Sequence, residues 1–167
     1  LFDGEPARKW RALGHRLTLA ELGQQVLGDG FHEERTPMYH PLLVEDLLVA
    51  CMGRAGLAAD DGLREAISTC AGALGSVVHP DGQIALFNDS AFGVAAPPAV
   101  LLRLARGLAL SIPSAARDLP YAGYYGFSDG GDGLIFDAGP LGPDHLPAHA
   151  HCDALSFELS LDGTRVV

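Results

Sequence analysis

The chain has 167 residues, with 21 acidic against 11 basic side chains and a formal net charge of −10. Hydrophobic residues make up 48% and charged residues 19%, which excludes general disorder and leaves enough apolar surface for a core. A pI of about 4.9 excludes nucleic acid as a default partner, because phosphate binding needs clustered Lys and Arg, and no stretch reaches the roughly 18 apolar residues of a membrane span.

Pro6 to Leu27 carries Trp10, Leu13, Leu17, Leu22 and Val26 at helical spacing, and Gly28-Asp29-Gly30 stops it. Thr36-Pro37 predicts the next helix start, with Thr as cap and Pro at the first position, where no N–H is needed. That helix runs through Leu42, Leu43, Leu47 and Leu48 to about Gly53. A third is expected from Asp60 or Asp61 to about Val78, ended by His79-Pro80-Asp81-Gly82, and a fourth from Pro97-Pro98 to about Leu108. After Ser111 to Ser114 the pattern changes to strands. Tyr121 to Phe127, a turn over Ser128 to Gly133, and Leu134 to Phe136 read as a hairpin. His149 to Leu161 alternates with period two, and Asp162-Gly163 turns into a further strand. A domain boundary is expected near residues 111–118. The chain opens on Leu1 and ends at Thr164 to Val167 within a strand pattern, which reads as an internal piece of a longer protein. Cys51, Cys70 and Cys152 are odd in number with no CxxC pair, so free thiols are expected and the compartment stays open.

His149-Ala150-His151-Cys152-Asp153 is the strongest chemical signal. In an extended strand His149 and His151 point the same way, placed to share a metal or to divide into one ligand and one catalyst. The alternative is a polar strand mouth hydrogen-bonded to loop carbonyls. Tyr39 and His40 fall in the first helical turn after Pro37, where exposed N–H groups ease formation of a phenolate. A helical Tyr is otherwise a packing residue. His32, Glu33, Glu34 and Arg35 either line the same cleft or form a solvated turn held by ion pairs. Asn88 and Asp89 are turn formers that could instead face sugar hydroxyls, while His79 and His15 read as turn and helix-surface residues.

Three blocks carry a resemblance. Asp29-Gly30-Phe31-His32-Glu33-Glu34-Arg35-Thr36-Pro37-Met38-Tyr39-His40 leads to Val44-Glu45-Asp46-Leu47-Leu48. His79-Pro80-Asp81-Gly82 leads to Ile84 through Gly93, and Gly139-Pro140-Leu141-Gly142-Pro143-Asp144 leads to His149 through Leu159. In this order they resemble the bacterial heparinase II/III family of polysaccharide lyases. The resemblance implies an α+β, multidomain fold: the C-terminal part of an (α/α) toroid over 1–113, then the first strands of an antiparallel β-sandwich over 114–167. It also implies β-elimination at a uronic acid, with the C5 proton removed and the C4–O bond broken. Tyr39 and His149 would be the catalytic pair and His151 a ligand of a structural divalent metal, zinc in many members, with further ligands beyond Val167. His32, Glu34, Arg35, His40, Asn88 and Asp89 would bind an acidic polysaccharide.

The family's neutralising Asn-His pair belongs upstream of the first helix, so residues 1–167 alone are expected to be inactive. Cys152 stands where Ala is usual, and a charge of −10 sits uneasily with an anionic glycan. Two other functions compete. One is a cupin-like oxygenase with His149, His151 and Asp153 as metal triad; the other is a non-catalytic glycan-binding or assembly protein on a lyase scaffold. Neither a compartment (periplasm or cytoplasm of a bacterium) nor an oligomeric state follows.

Overall fold

The computed structural model describes residues 2–52, 60–116 and 118–167. Four helices come first: α1 (Glu5–Gln25), α2 (Tyr39–Met52), α3 (Asp61–Leu74) and α4 (Pro98–Gly107). Five strands follow: β1 (Asp118–Leu119), β2 (Tyr124–Asp129), β3 (Asp132–Asp137), β4 (Phe157–Leu161) and β5 (Thr164–Arg165). They form one antiparallel meander in chain order. The helical array followed by an antiparallel sheet is the expected fold class. No helix among the described residues is long and apolar enough to cross a membrane.

Local chemistry sets the ends. Asp60 caps α3 by accepting from the Leu63 N–H at 2.8 Å, and Pro98 opens α4. α2 begins at Tyr39, two residues later than a Thr36 side-chain cap implies. The Thr36 hydroxyl turns back to the Glu34 carbonyl, while its own carbonyl accepts from the Tyr39 and His40 N–H groups. The Met38 N–H is satisfied by Ser90 Oγ at 3.1 Å, which ties the 87–90 loop to the start of α2. The expected end of α2 at Gly53 lies outside the described residues. α3 ends at Leu74 and passes into a 3-10 turn, Gly75–Val77, rather than continuing to Val78.

Two cores divide the molecule. Leu22, Val44, Leu48, Ile67, Leu74 and Leu101 pack the helices together. Phe31, Val77, Phe87, Leu119, Tyr124 and Ile135 form a second core between the helix-end loops and the sheet. The α1 stripe is only half used: Leu22 is buried, whereas Trp10 is 64% and Leu17 50% exposed, because no described element lies over that part of the helix. The sheet is apolar on both faces. Tyr124 and Ile135 face the helices, while Tyr125, Phe136 and Phe157, with Phe127, Leu134 and Leu159, stand in cross-strand register on the outer face. An antiparallel sheet greasy on both sides is one leaf of a sandwich.

The segment His149 to Ser156 departs from the expected strand. Pro147–His149 is a 3-10 turn, residues 150–156 are irregular, and β4 begins only at Phe157. Its backbone groups are spent elsewhere: the His151 N–H donates to Asn88 Oδ1, and the Leu155 N–H to the Asp137 carbonyl. His79 also differs from a plain turn residue. The His79-Pro80-Asp81-Gly82 turn closes as expected, yet the ring is buried, with Nδ1 2.9 Å from Ser160 Oγ and Nε2 3.1 Å from Glu158 Oε2. It pins β4 to the end of the helical part.

Gly123 marks the tightest backbone approach. Its φ is +91°, and an added Cβ would fall on the Gly139 Cα. Gly123→Ala is therefore expected to destabilise the fold by roughly 2–4 kcal/mol, from left-handed strain plus overpacking. The check is the urea midpoint of the complete protein followed at the sheet; a midpoint equal to wild type would contradict it.

Candidate active site

Tyr39 stands at the first position of α2, and His149 ends the 3-10 turn before β4. They meet although 110 residues separate them: the Tyr39 hydroxyl lies 3.1 Å from His149 Nδ1, with the rings edge to face at 5.1 Å. Asp89, in the loop before α4, holds both. Its Oδ2 accepts from the Tyr39 hydroxyl at 3.2 Å and from His149 Nδ1 at 2.6 Å, and its Oδ1 is 2.6 Å from His151 Nε2. The hydrogen bonds from His149 and then His151 hold the Asp89 carboxyl below its usual range, so it is an ionised acceptor. An acceptor-only partner puts the proton on His149 Nδ1 and leaves the Nε2 lone pair free. Nε2 lies 3.7 Å from Glu34 Oε2.

The tyrosine differs from expectation. Desolvation, then the hydrogen bond and charge of Asp89, then the charge of Glu34, raise the Tyr39 pKa above its ordinary value. A full negative charge at hydrogen-bonding distance outweighs the half charge of a helix N-terminus. Tyr39 is thus held as a phenol, a proton donor.

The other expected site residues divide. A cleft of about 290 Å³ is lined by Gln25, His32, Glu34, Tyr39, Asp46 and His149, which places His32 and Glu34 where the cleft reading put them. Burial lowers the His32 pKa, and its Nδ1 accepts from the Glu34 N–H. His40 is no substrate contact: it is wholly buried, its Nε2 donates to the Cys70 carbonyl at 2.8 Å, and its Nδ1 accepts from the His32 N–H. Stacked on Phe31, it builds the loop that carries Glu34. Arg35, with φ +55°, turns its guanidinium onto the carbonyls of Glu33 and Tyr121. Asn88, with φ +54°, spends its amide on the Arg35 carbonyl and the His151 N–H, and so joins the two halves instead of facing solvent. Sequence reasoning missed that Asp89 partners the catalytic candidates, and that Asp29 Oδ2 accepts from the Tyr121 and Ala122 N–H groups to hold the hairpin against the α1–α2 loop. An Asn-Asp-Ser turn carries no local sign of the first, and Asp29 stands in an ordinary Gly-Asp-Gly turn.

The metal expectation has one candidate ligand here. His151 Nε2 is engaged by Asp89, and among the described residues no group of three His, Cys, Asp or Glu side chains converges as ligands would. The alternative oxygenase triad is not assembled: His149 and His151 converge on Asp89, whereas Asp153 Oδ2 accepts from the Asn88 N–H.

Comparison with known proteins adds to this geometry. Residues 4–99 match the heparinase II/III N-terminus and residues 111–167 the heparinase II/III-like C-terminal domain. The chain belongs to the heparinase II/III family. Among solved structures of related fold is a heparinase III gene product, with a TM-score of 0.74 and 18% identity over 96% of this chain and 28% of that one. Another is the heparan sulfate lyase HepC from Pedobacter heparinus, with a TM-score of 0.72, 22% identity and the same shares of the two chains. These likenesses fix the fold as the end of a toroid followed by the start of a β-sandwich. A curated relative, FtsZ-localized protein C of Caulobacter vibrioides, is 27% identical over 98% of this chain. The chain spans 28% of that relative's length.

Proposed function

We propose that this chain supplies the acid and base of a polysaccharide lyase that cleaves uronic-acid-containing glycans by β-elimination. The observation that carries the reading is the meeting of a phenol from α2 with an imidazole from the sheet side at 3.1 Å, beside an open cleft. His149 Nε2 takes the C5 proton, the electron pair of that C–H bond forms the C4–C5 double bond, and the C4–O bond breaks. Tyr39 donates its proton to the leaving oxygen. Turnover leaves an imidazolium and a phenolate in hydrogen-bonding contact, and passage of the Nδ1 proton to the phenolate neutralises both. The half-exposed His149 then returns to its working tautomer through solvent. The substrate carboxylate must be neutralised for charge to develop at C5. Under the family resemblance an Asn-His pair upstream of α1 does this, so residues 1–167 alone are expected to turn over no substrate.

A structural divalent metal, zinc by resemblance, is proposed on His151 with ligands beyond Val167; no step above passes through it. The complete protein is expected to raise ultraviolet absorbance when mixed with an acidic glycan it cleaves, from the unsaturated sugar formed. Absence of that rise across heparan, alginate, chondroitin and unsulfated uronate polymers would overturn the reading.

A second reading is favoured by the curated relative's name, which places that protein at FtsZ. On this reading the scaffold binds glycan or an assembly partner without turnover. Sugar binding undiminished by Tyr39→Phe and His149→Ala, with no product from the parent protein, would decide for it.

A further inference from the structure

We infer that Glu158 and Arg165, on β4 and β5, are positioning residues: they grip the loop of residues 83–92 on both sides of Asp89 and so set where its carboxylate meets His149 and His151. The inference rests on the lyase reading for the reaction whose rate it changes. Glu158 Oε1 accepts from the Leu86 N–H at 2.6 Å, and its Oε2 accepts from Arg165 Nη1 at 2.9 Å. Arg165 Nη2 donates to the Ile84 carbonyl at 3.0 Å and the Gln83 carbonyl at 3.4 Å. Beyond Asp89, the same guanidinium lies over the Phe92 ring, 5.4 Å from its centroid. Asp89 follows Leu86 by three residues, so at most about 10 Å of chain separates it from the fixed amide. Phe87, buried against Tyr124, holds the middle of the loop, so loss of the grip should shift Asp89 without freeing it.

Stability alone does not account for the pair. On the face turned to the helical part, β2 and β3 carry Tyr124 and Ile135, whereas β4 places Glu158 opposite Ile135. The Glu158 and Arg165 side chains are only 12% and 16% exposed, and Arg165 Nε is buried without a partner. His79 Nε2 lies 3.1 Å from Glu158 Oε2 without the alignment of a hydrogen bond. Desolvated ions with a donor left unpaired stabilise a fold poorly beside an apolar pair of similar size. What they supply is direction. One loop amide receives an acceptor and two loop carbonyls receive donors, all from fixed sites on the sheet.

The test uses variants of the complete protein and two readouts. The ¹⁵N shifts of the His149 and His151 rings are recorded without substrate, and kcat and KM are read by ultraviolet absorbance on whichever of heparan, alginate, chondroitin or unsulfated uronate polymer the parent cleaves. Glu158→Ala is expected to move both ring signals and to lower kcat by about 10–10²-fold, with KM within about threefold. Glu158→Gln keeps an oxygen for the Leu86 N–H and should regain most of that loss. Arg165→Lys keeps a cation beside Glu158 but loses the fork that also reaches Ile84 and Gln83; it should act in the same direction as Glu158→Ala, more weakly, and serves if Glu158→Ala does not fold. Leu63→Ala, in the helical core and with no part in the loop, should lower the urea midpoint yet leave both rings and kcat as in the parent. Ring signals unmoved in Glu158→Ala and Arg165→Lys, or moved equally by Leu63→Ala, would overturn the positioning role. Moved rings in a protein that cleaves none of the polymers would sink the lyase reading and leave the positioning standing. Unmoved rings and kcat in an active protein would do the reverse.

Discussion

Asp89→Asn in the complete protein is expected to lower kcat by about 10²–10⁴-fold while KM changes little. On the lyase reading proposed above, Asp89 would take no part in the bonds made and broken at the sugar and would fix which nitrogen of His149 carries the proton. Its Oδ2 accepts from Nδ1 at 2.6 Å and from the Tyr39 hydroxyl at 3.2 Å, so the free lone pair stays on Nε2. An asparagine there offers one oxygen and one NH₂. If the NH₂ faces Nδ1, the stable tautomer reverses, Nε2 becomes protonated and the base is lost. Tyr39→Phe should be comparably slow for a different reason: it removes the acid without disturbing the imidazole. The double variant is expected to cost far less than the product of the two, because both act in one proton path. The ¹⁵N shifts of the His149 ring supply the check that a general packing defect would not reproduce. They should move in Asp89→Asn and stay in Tyr39→Phe. Retention of kcat within about threefold of wild type by Asp89→Asn would remove the positioning role.

The parts of this fold that were legible in the sequence are those decided by neighbouring residues. Asp60, Pro98, the His79-Pro80-Asp81-Gly82 turn and the Asp162-Gly163 turn each act through backbone groups a few positions away, and each structure forms where expected. The outer-face alternation of Phe157, Leu159 and Leu161 was legible for the same reason. The extension of that strand back to His149 was not. Period-two spacing of His and Ala says nothing about whether a partner strand is present, and the backbone of this stretch bonds to Asn88 and Asp137 instead. His149 and His151 do come together, but Asp89, about 60 residues upstream in the chain, gathers them; a shared strand face does not. Tyr39 shows the same limit. Its helix N-terminus could be read locally, while the desolvation and the Asp89 and Glu34 charges that reverse its effect arise from the folded loops. His40 lies next to Tyr39 in sequence, yet α3 encloses it, and no local pattern distinguishes a buried imidazole from an exposed one.

That enclosed imidazole sets the second large expectation: the loop that carries Glu34 should lose stability as pH falls from 6.5 toward 4. Burial depresses the His40 pKa from 6.5 to about 4, outweighing the opposing hydrogen bond to the Cys70 carbonyl. The unfolded chain therefore binds a proton before the folded chain does. The contribution is fully present above pH 6.5, declines through the window, and is gone once pH falls through the folded value. A shift of this size corresponds to about 3 kcal/mol. His32, also lowered by burial, adds to the same window. Protonating His40 Nδ1 would remove the acceptor of the His32 N–H, so the amide of His32 is the local reporter. Its exchange protection in the complete protein, corrected for intrinsic rate, should fall across that pH range. In His40→Gln the amide oxygen can still accept from His32 but does not titrate, so protection is expected to be lower near pH 7 and to fall less steeply toward pH 4, by the His32 part alone. The difference between the two proteins isolates His40 from carboxylates such as Asp137, whose pKa burial raises and whose effect therefore runs the other way. Equal slopes in wild type and His40→Gln would show that the buried ring does not govern the loop.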